Sequence, residues 1–309
     1  MLKTWWSNLR PNFVLIMRPV HWKWRLMSLM NIFGSFFVYT MVWTVAVVGI
    51  GSIVPEIYGP SVGFHRLLSW YLAVQVVGNS ILFLSTNTDL RRLTDTKKTD
   101  EEWLLYCQTC RSKIPPRGHH CALCNKCVLK RDHHCFFVSC CIGFYNQKYF
   151  FMFLVYACFS TCYAFYLMPY FLASKYDIEF TSVTNYFTLL PSTLYVHLFV
   201  HEVSIYVLFY VTLMYASLSC AFFTGSLVGF QAFLILRGQT TYELIYGARD
   251  YDEGAWENFL DCFGRYWYVT LVLPLPLPQR HLGIYKSMMS YSTDPSIKYR
   301  YDLITSMSI

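Results

Sequence analysis

The sequence predicts an α-helical polytopic membrane protein, with four transmembrane helices and a cytosolic cysteine-rich domain between the second and third. Three observations carry that prediction. Charged residues are only 14% of the 309, against 55% hydrophobic and 19% aromatic, whereas a water-soluble domain carries about 25% charge. The missing charge is concentrated in four long uncharged runs. Eight of the twelve cysteines crowd between Cys107 and Cys141. The mean hydropathy of +0.34 excludes a disordered or fibrous chain.

Taken in order, residues 1–30 read as an N-terminal interfacial segment. Trp5, Trp6, Trp22 and Trp24 alternate with basic residues there, as at a membrane surface, and no small-residue site marks a cleaved signal. The first span is expected over 31–54, inside the uncharged run between Arg25 and Glu56. A helix of some 20 apolar residues crosses about 30 Å of hydrocarbon. The second is expected over 66–87, the third over 149–173 and the fourth over 203–236, each within an uncharged stretch save for Arg66 at the edge of the second. The region 174–202 is also poor in charge, but Pro191, Asn185 and His197 argue against a span and for a non-cytosolic loop. Residues 237–309 form a C-terminal region, in which Pro274, Pro276 and Pro278 suggest a short extended linker. No internal repeat is expected.

Orientation follows from Lys and Arg, which stay on the cytosolic side. Lys3, Arg10, Arg18, Lys23 and Arg25 precede the first span, eleven basic residues lie between the second and third, and seven follow the fourth. The two other loops hold only Arg66 and Lys175. Both termini and the central domain, 88–148, are therefore expected in the cytosol. The net charge of +7 is an orientation signal and not the footprint of nucleic acid, because the basic residues flank spans instead of lining a groove.

A cytosolic location disfavours disulfides and points the cysteines to metal. Cys107 and Cys110 form one C-x-x-C pair, and Cys121 and Cys124 another. Two such pairs followed by further Cys and His are the pattern of tetrahedral zinc. Two closed sites need eight ligands, and the window holds eight Cys and four His. The surplus leaves room for chemistry. Asp132, His133, His134 and Cys135 place a thiol, a base and a carboxylate in four consecutive residues, and in an extended strand His133 and Cys135 project to one side. Spacing alone leaves Cys135 as either a nucleophile or a further zinc ligand.

At these residues the sequence resembles the DHHC protein S-acyltransferases, or palmitoyltransferases. The resemblance rests on Cys107-x2-Cys110, on Pro115-x-Arg117-x2-His120-Cys121-x2-Cys124-x2-Cys127, and on the tetrad 132–135 with Cys141, Gly143 and Asn146. It extends to Thr240-Thr241-Tyr242-Glu243, similar to the family's TTxE motif, and to the aromatic element Asn258–Gly264. The resemblance implies two structural zinc ions, one held by Cys107, Cys110, His120 and Cys127, the other by Cys121, Cys124, His134 and Cys141. It also implies Asp132, His133 and Cys135 as the catalytic group, with Thr241 near Asp132, Phe137 as an aromatic wall for the acyl chain, and His119 facing solvent. The chain departs from the family at Phe136, Phe137, Ser139 and Cys140, where Pro-Trp and Asn-Asn are usual, and at Asp89-Leu90-Arg91 in place of Asp-Pro-Gly.

The implied activity is transfer of a fatty acyl group from palmitoyl-CoA, or another fatty acyl-CoA, to cysteines of membrane-associated proteins through a Cys135 acyl-enzyme. The implied setting is the endoplasmic reticulum or Golgi membrane. A catalytically impaired zinc-bearing scaffold is the alternative. Protein substrates, chain-length preference and oligomeric state leave no trace in the sequence.

Overall fold

A computed structural model of the chain describes residues 22–59, 62–90, 105–200, 203–247 and 249–279. Trp5, Trp6, Arg91, Arg92, Lys97 and Lys98 lie outside the described residues. Among those described, four helices are long and apolar enough to cross a membrane: Arg25–Tyr58 (34 residues), Val62–Ser85 (24), Gln147–Tyr176 (30) and Ile205–Leu236 (32). At 1.5 Å per residue even the shortest reaches about 36 Å, more than the hydrocarbon thickness. The first comprises α1 (Trp22–Val48), a π-helical turn (Gly49–Ile53) and a last turn, Val54–Tyr58. The others are α2 (Val62–Ser85), α3 (Gln147–Tyr176) and α5 (Ile205–Leu236). Several outrun their uncharged stretches, because the backbone ladder continues past the apolar part of each helix. The segment 174–202 is more than a loop: α4 (Asn185–Tyr195) and a π-helical turn (Val196–Val200) form within it. Thr188 bonds the Thr184 carbonyl at 3.1 Å, and Pro191 sits inside α4. Eleven residues reach only about 17 Å, too little for a span.

The chain divides into two compact units: Tyr39–Val77 with Phe153–Gly229, and the remainder. The first of these is an apolar packing of helices around Ile53, Val54, Leu167, Met168, Phe171, Leu172, Val211 and Met214. Two of its polar pairs satisfy each other, as groups in hydrocarbon tend to: the Tyr71 and Tyr156 hydroxyls lie 2.9 Å apart, and His65 Nδ1 meets the Tyr163 hydroxyl at 2.7 Å.

The other unit carries the eight clustered cysteines, Cys107 to Cys141. Among the described residues its strands form three two-stranded antiparallel hairpins: β1 (Leu105–Cys107) with β2 (Ser112–Ile114), β3 (Gly118–Cys121) with β4 (Lys126–Leu129), and β5 (His133–Cys135) with β6 (Cys140–Ile142). The three turns share one geometry. Arg111, Asn125 and Ser139 take left-handed φ values of 51°, 50° and 53°, and they recur every fourteen residues, as do Cys107, Cys121 and Cys135. His120 and His134 keep the same interval, as do Cys127 and Cys141. An internal repeat is therefore present where none was expected. It is hard to see in the sequence because only the ligand and turn positions recur.

Strands of three or four residues do not hold a hairpin together in water. The apolar cores here are small, with Leu90, Ile114, Leu129 and Phe144 in one cluster and Leu123 and Val128 in another, and cysteines complete both. A module of this size depends on staples. Gly143 is required by close packing, since a Cβ there would stand 2.5 Å from Val128 Cγ1. Asn146 then closes the end of β6, accepting from the Gly143 N–H and donating to the Cys141 carbonyl, both at 2.9 Å.

After α5 come α6 (Thr241–Ile245), α7 (Ala255–Phe263), α8 (Trp267–Val272) and an extended strap containing the three prolines. Asn258 ties α7 to the end of α5 by donating to the Leu236 carbonyl at 2.9 Å. The strap is packed down, since Lys148 Nζ donates to the Leu277 carbonyl at 2.5 Å and Gln279 to the Phe144 carbonyl at 2.8 Å.

Candidate active site and metal centres

Strand alternation sorts the ligands. In the β3–β4 ladder His120 pairs with Cys127, and in the β5–β6 ladder His134 pairs with Cys141, so each couple projects from one face. His120 and Cys127 meet Cys107 and Cys110 from the first turn. His134 and Cys141 meet Cys121 and Cys124 from the second. In both groups the four ligand atoms lie within 4.8 Å of one another. In the first, His120 Nδ1 is 3.3 Å from Cys110 Sγ and 3.9 Å from Cys127 Sγ. In the second, His134 Nδ1 is 3.6, 3.3 and 3.8 Å from the Cys121, Cys124 and Cys141 sulfurs. Tetrahedral zinc, with Zn–S near 2.3 Å and Zn–N near 2.0–2.1 Å, sets its ligands about 3.5–3.8 Å apart. Both Cys3His sets therefore fit zinc. The Cys110 and Cys124 N–H groups each bond the first sulfur of their own turn at 3.4 Å, which holds those sulfurs as acceptors.

The opposite face of β5 carries different chemistry. His133 and Cys135 share it with Ile142 and Cys140, their ladder partners. Asp132 is 4% exposed and its carboxylate is fully engaged. Oδ2 accepts from His133 Nδ1 and from Gln231 Nε2, both at 2.8 Å, and Oδ1 accepts from the Thr241 N–H at 2.5 Å. Burial pushes this carboxyl up, but the His133 hydrogen bond and charge, with the Thr241 and Gln231 donors, outweigh burial and hold it at about 2. His133 is the counterpart. Burial disfavours its charged form, yet hydrogen bonds to Asp132 and to the Cys135 sulfur, with the charges of both, raise it to about 10. An imidazole between a fixed carboxylate and a thiol can take the thiol's proton. Phe150 meets the His133 ring edge-to-face at 5.7 Å between centroids.

The TTxE residues form the other wall. Thr240 caps α6 and, with Glu243, closes a capping box: Glu243 N–H donates to Thr240 Oγ1 at 3.1 Å and Thr240 N–H to Glu243 Oε2 at 2.9 Å. Thr241 opens the helix, so its N–H has no partner within the helix and is free to serve Asp132. Glu243 is anchored by Arg117, whose Nε and Nη2 donate to its two oxygens at 2.6 and 2.7 Å, while Nη2 also reaches the Gly238 carbonyl at 2.7 Å. The guanidinium lies 4.3 Å from the Tyr251 ring centre. A buried ion pair this fully satisfied acts as a positioning device more than a source of stability.

The structure thus brings Asp132, His133, Cys135 and Thr241 together and gathers the eight Cys and His ligands into two groups. Phe137 sits on the β5–β6 turn, 39% exposed, with its backbone against Gly34. His119 does not face solvent. It is 8% exposed, its ring lies tilted against that of Tyr242 with centroids 4.4 Å apart, and it is pushed down to about 3 by burial and by Arg131 and Arg117. It alternates with His120 along β3, which sends it towards α6. Sequence inspection misses Gln231 and Asn31. Their signal is a polar side chain in an otherwise apolar span, which marks function in membrane proteins.

A helical membrane protein with a Cys/His hairpin module between its second and third spans, and an Asp-His-Cys face on that module, defines a class. The DHHC palmitoyltransferase family profile matches residues 98–247, and the chain belongs to that family. Palmitoyltransferase ZDHHC22 of Danio rerio is 38% identical over 185 residues, 58% of this chain and 61% of that protein. Probable palmitoyltransferase ZDHHC24 of Danio rerio is 30% identical over 225 residues, 70% of this chain and 73% of that protein. The chain thus spans about three fifths of the first relative's length.

Proposed function

We propose that the chain is a protein S-acyltransferase that moves a palmitoyl or other fatty acyl group from acyl-CoA to cysteines of membrane-associated proteins, with Cys135 as the nucleophile. The observation that carries this reading is the Asp132 carboxylate, fixed by Thr241, Gln231 and His133 on the strand that bears Cys135. His133 Nδ1 donates to Asp132, which leaves Nε2 to accept the Cys135 proton. The Cys135 sulfur attacks the thioester carbonyl, the carbon–sulfur bond to CoA breaks, and His133 returns the proton to the departing CoA thiolate. A substrate cysteine then gives its proton to His133 and attacks the acyl-enzyme, releasing Cys135. Thioester exchange is nearly balanced in energy, so positioning and an activated thiol do most of the catalysis. Phe137 lines the acyl chain in this reading.

Zinc bound at the two centres supplies folding energy and rigidity, because four protein ligands close each site against water. The hairpin module and both termini lie in the cytosol of endoplasmic reticulum or Golgi membranes in this reading, on the distribution of Lys and Arg. The test is release of CoA from palmitoyl-CoA by the purified protein in lipid nanodiscs. Wild type releases CoA and passes the acyl group to an added cysteine peptide; Cys135→Ser does neither. Equal CoA release by the two proteins would end the proposal.

A further inference from the structure

Much of α1 faces away from protein: Phe33, Phe36 and Phe37 are 67%, 70% and 52% exposed. One stripe of the helix does not. Ser28, Asn31 and Ser35 are spaced to share a helix face and are 0%, 0% and 4% exposed. Polar side chains in a membrane helix turn inward to a polar partner, and the partner here is the third hairpin. Asn31 Oδ1 lies 3.3 Å from His134 Nε2. Ser139 Oγ donates to the Asn31 carbonyl at 3.0 Å and bonds the Ser35 hydroxyl, and Ser35 Oγ also reaches the Phe136 carbonyl at 3.4 Å. Gly34 lets the chains approach, since a Cβ there would stand 3.0 Å from the Phe136 carbonyl oxygen. Ser139 is one of the departures from the family pattern, and its hydroxyl is used entirely in this contact.

The chemistry of the imidazole gives the contact its meaning. His134 turns Nδ1 to the three sulfurs of the second centre. When Nδ1 is a ligand the neutral ring carries its proton on Nε2, which must then donate. Asn31 Oδ1 stands where the acceptor is needed. We propose that Asn31 is a positioning residue for the second metal centre: it fixes the tautomer and ring plane of His134 and, through β5, the placement of His133 and Cys135 on the opposite face. This rests on reading Cys121, Cys124, His134 and Cys141 as a zinc site. Partners of this kind, hydrogen-bonded to a metal-bound histidine, change metal affinity by about 10–100-fold.

The test uses the full-length chain in nanodiscs, with zinc counted by mass spectrometry and its release followed with a chromogenic chelator. Wild type holds two zinc ions. Asn31→Leu, similar in its branching at Cγ but without an acceptor, releases one of the two about 10–100-fold faster and the other at the wild-type rate. Asn31→Asp keeps the acceptor and restores slow release. Ser28→Ala removes a buried hydroxyl that has no hydrogen-bond partner among the described residues, and leaves both rates unchanged. If Asn31→Leu does not fold, Asn31→Ala carries the same expectation. Wild-type release from folded Asn31→Leu overturns the proposal, as does equal acceleration by Asn31→Leu and Ser28→Ala, which would mean general loosening. A wild-type protein that holds no zinc, or His134→Ala with undiminished zinc, overturns instead the zinc reading beneath it.

Discussion

The second and third hairpins fold alike and use their first cysteine differently. Each turns through a left-handed residue, Asn125 or Ser139, and each places a His-Cys pair at the end of its first strand. In the second hairpin the turn supplies Cys124, and Cys121 joins a metal set. In the third the equivalent position is Val138, 1% exposed, and Cys135 lies on the strand face it shares with His133, outside both metal sets. In the proposed reading, a repeated metal-binding turn becomes a catalytic turn when one ligand is replaced by an apolar side chain and a base is supplied from the same strand.

The two hairpins differ most at the paired cysteines themselves. Cys135→Ser abolishes acyl-enzyme formation and leaves two zinc ions in place, whereas Cys121→Ser loses the zinc of the second set and loosens the third hairpin with it; zinc content and circular dichroism separate the two. Asp132→Asn is next. It keeps the shape of the site but removes the charge that holds His133 as a base, and the rate of CoA release falls about 10²–10⁴-fold with zinc content unchanged.

Glu243→Gln has a smaller effect and acts through the scaffold. It leaves the Arg117 charge buried and poorly paired, at a cost of about 3–5 kcal/mol, seen as a lower thermal midpoint and a slower acylation rate as Thr241 drifts from Asp132. Val138→Cys restores the missing ligand to the third hairpin. Added zinc then inhibits this variant by capturing Cys135, and the same zinc concentration leaves wild type unaffected. The smallest effect is expected at Cys140. This thiol faces Cys135 across the ladder, is 3% exposed, and burial pushes it well above the usual thiol range, so it stays protonated and does not compete as a nucleophile. Cys140→Ala costs about 1 kcal/mol or less of packing and changes acylation less than about twofold, equivalent to under half a kcal/mol in the barrier.

The four spans were legible because hydrocarbon excludes charge, and a run without Asp, Glu, Lys or Arg needs no tertiary information to be seen. Their ends were less so, since the absence of charge marks the apolar part of a helix and not where its ladder stops. The zinc residues were legible as a group, but their division into two sets depends on which face of each strand a residue occupies. Cys135 was ambiguous for the same reason: as spacing, it continues the pattern of Cys107 and Cys121. The burial of His119 was not legible because β3 is buried on both faces, one against the metal ligands and the other against Tyr242. Asn31, Gln231 and Arg117 act across 100 or more positions of sequence, or nearly so, and local pattern carries no record of such contacts. Thr241 is a middle case, since the motif located it while only the fold shows that its backbone, not its side chain, meets Asp132.

The most direct test of the account counts both cargoes on one molecule. Native mass spectrometry of the wild-type protein after incubation with palmitoyl-CoA, followed by peptide mapping, should find two zinc ions and one thioester-linked acyl group, on Cys135. An acyl group on Cys107 or Cys121, a third zinc bound through Cys135, or two zinc ions with no acylation would contradict the division of labour between the hairpins.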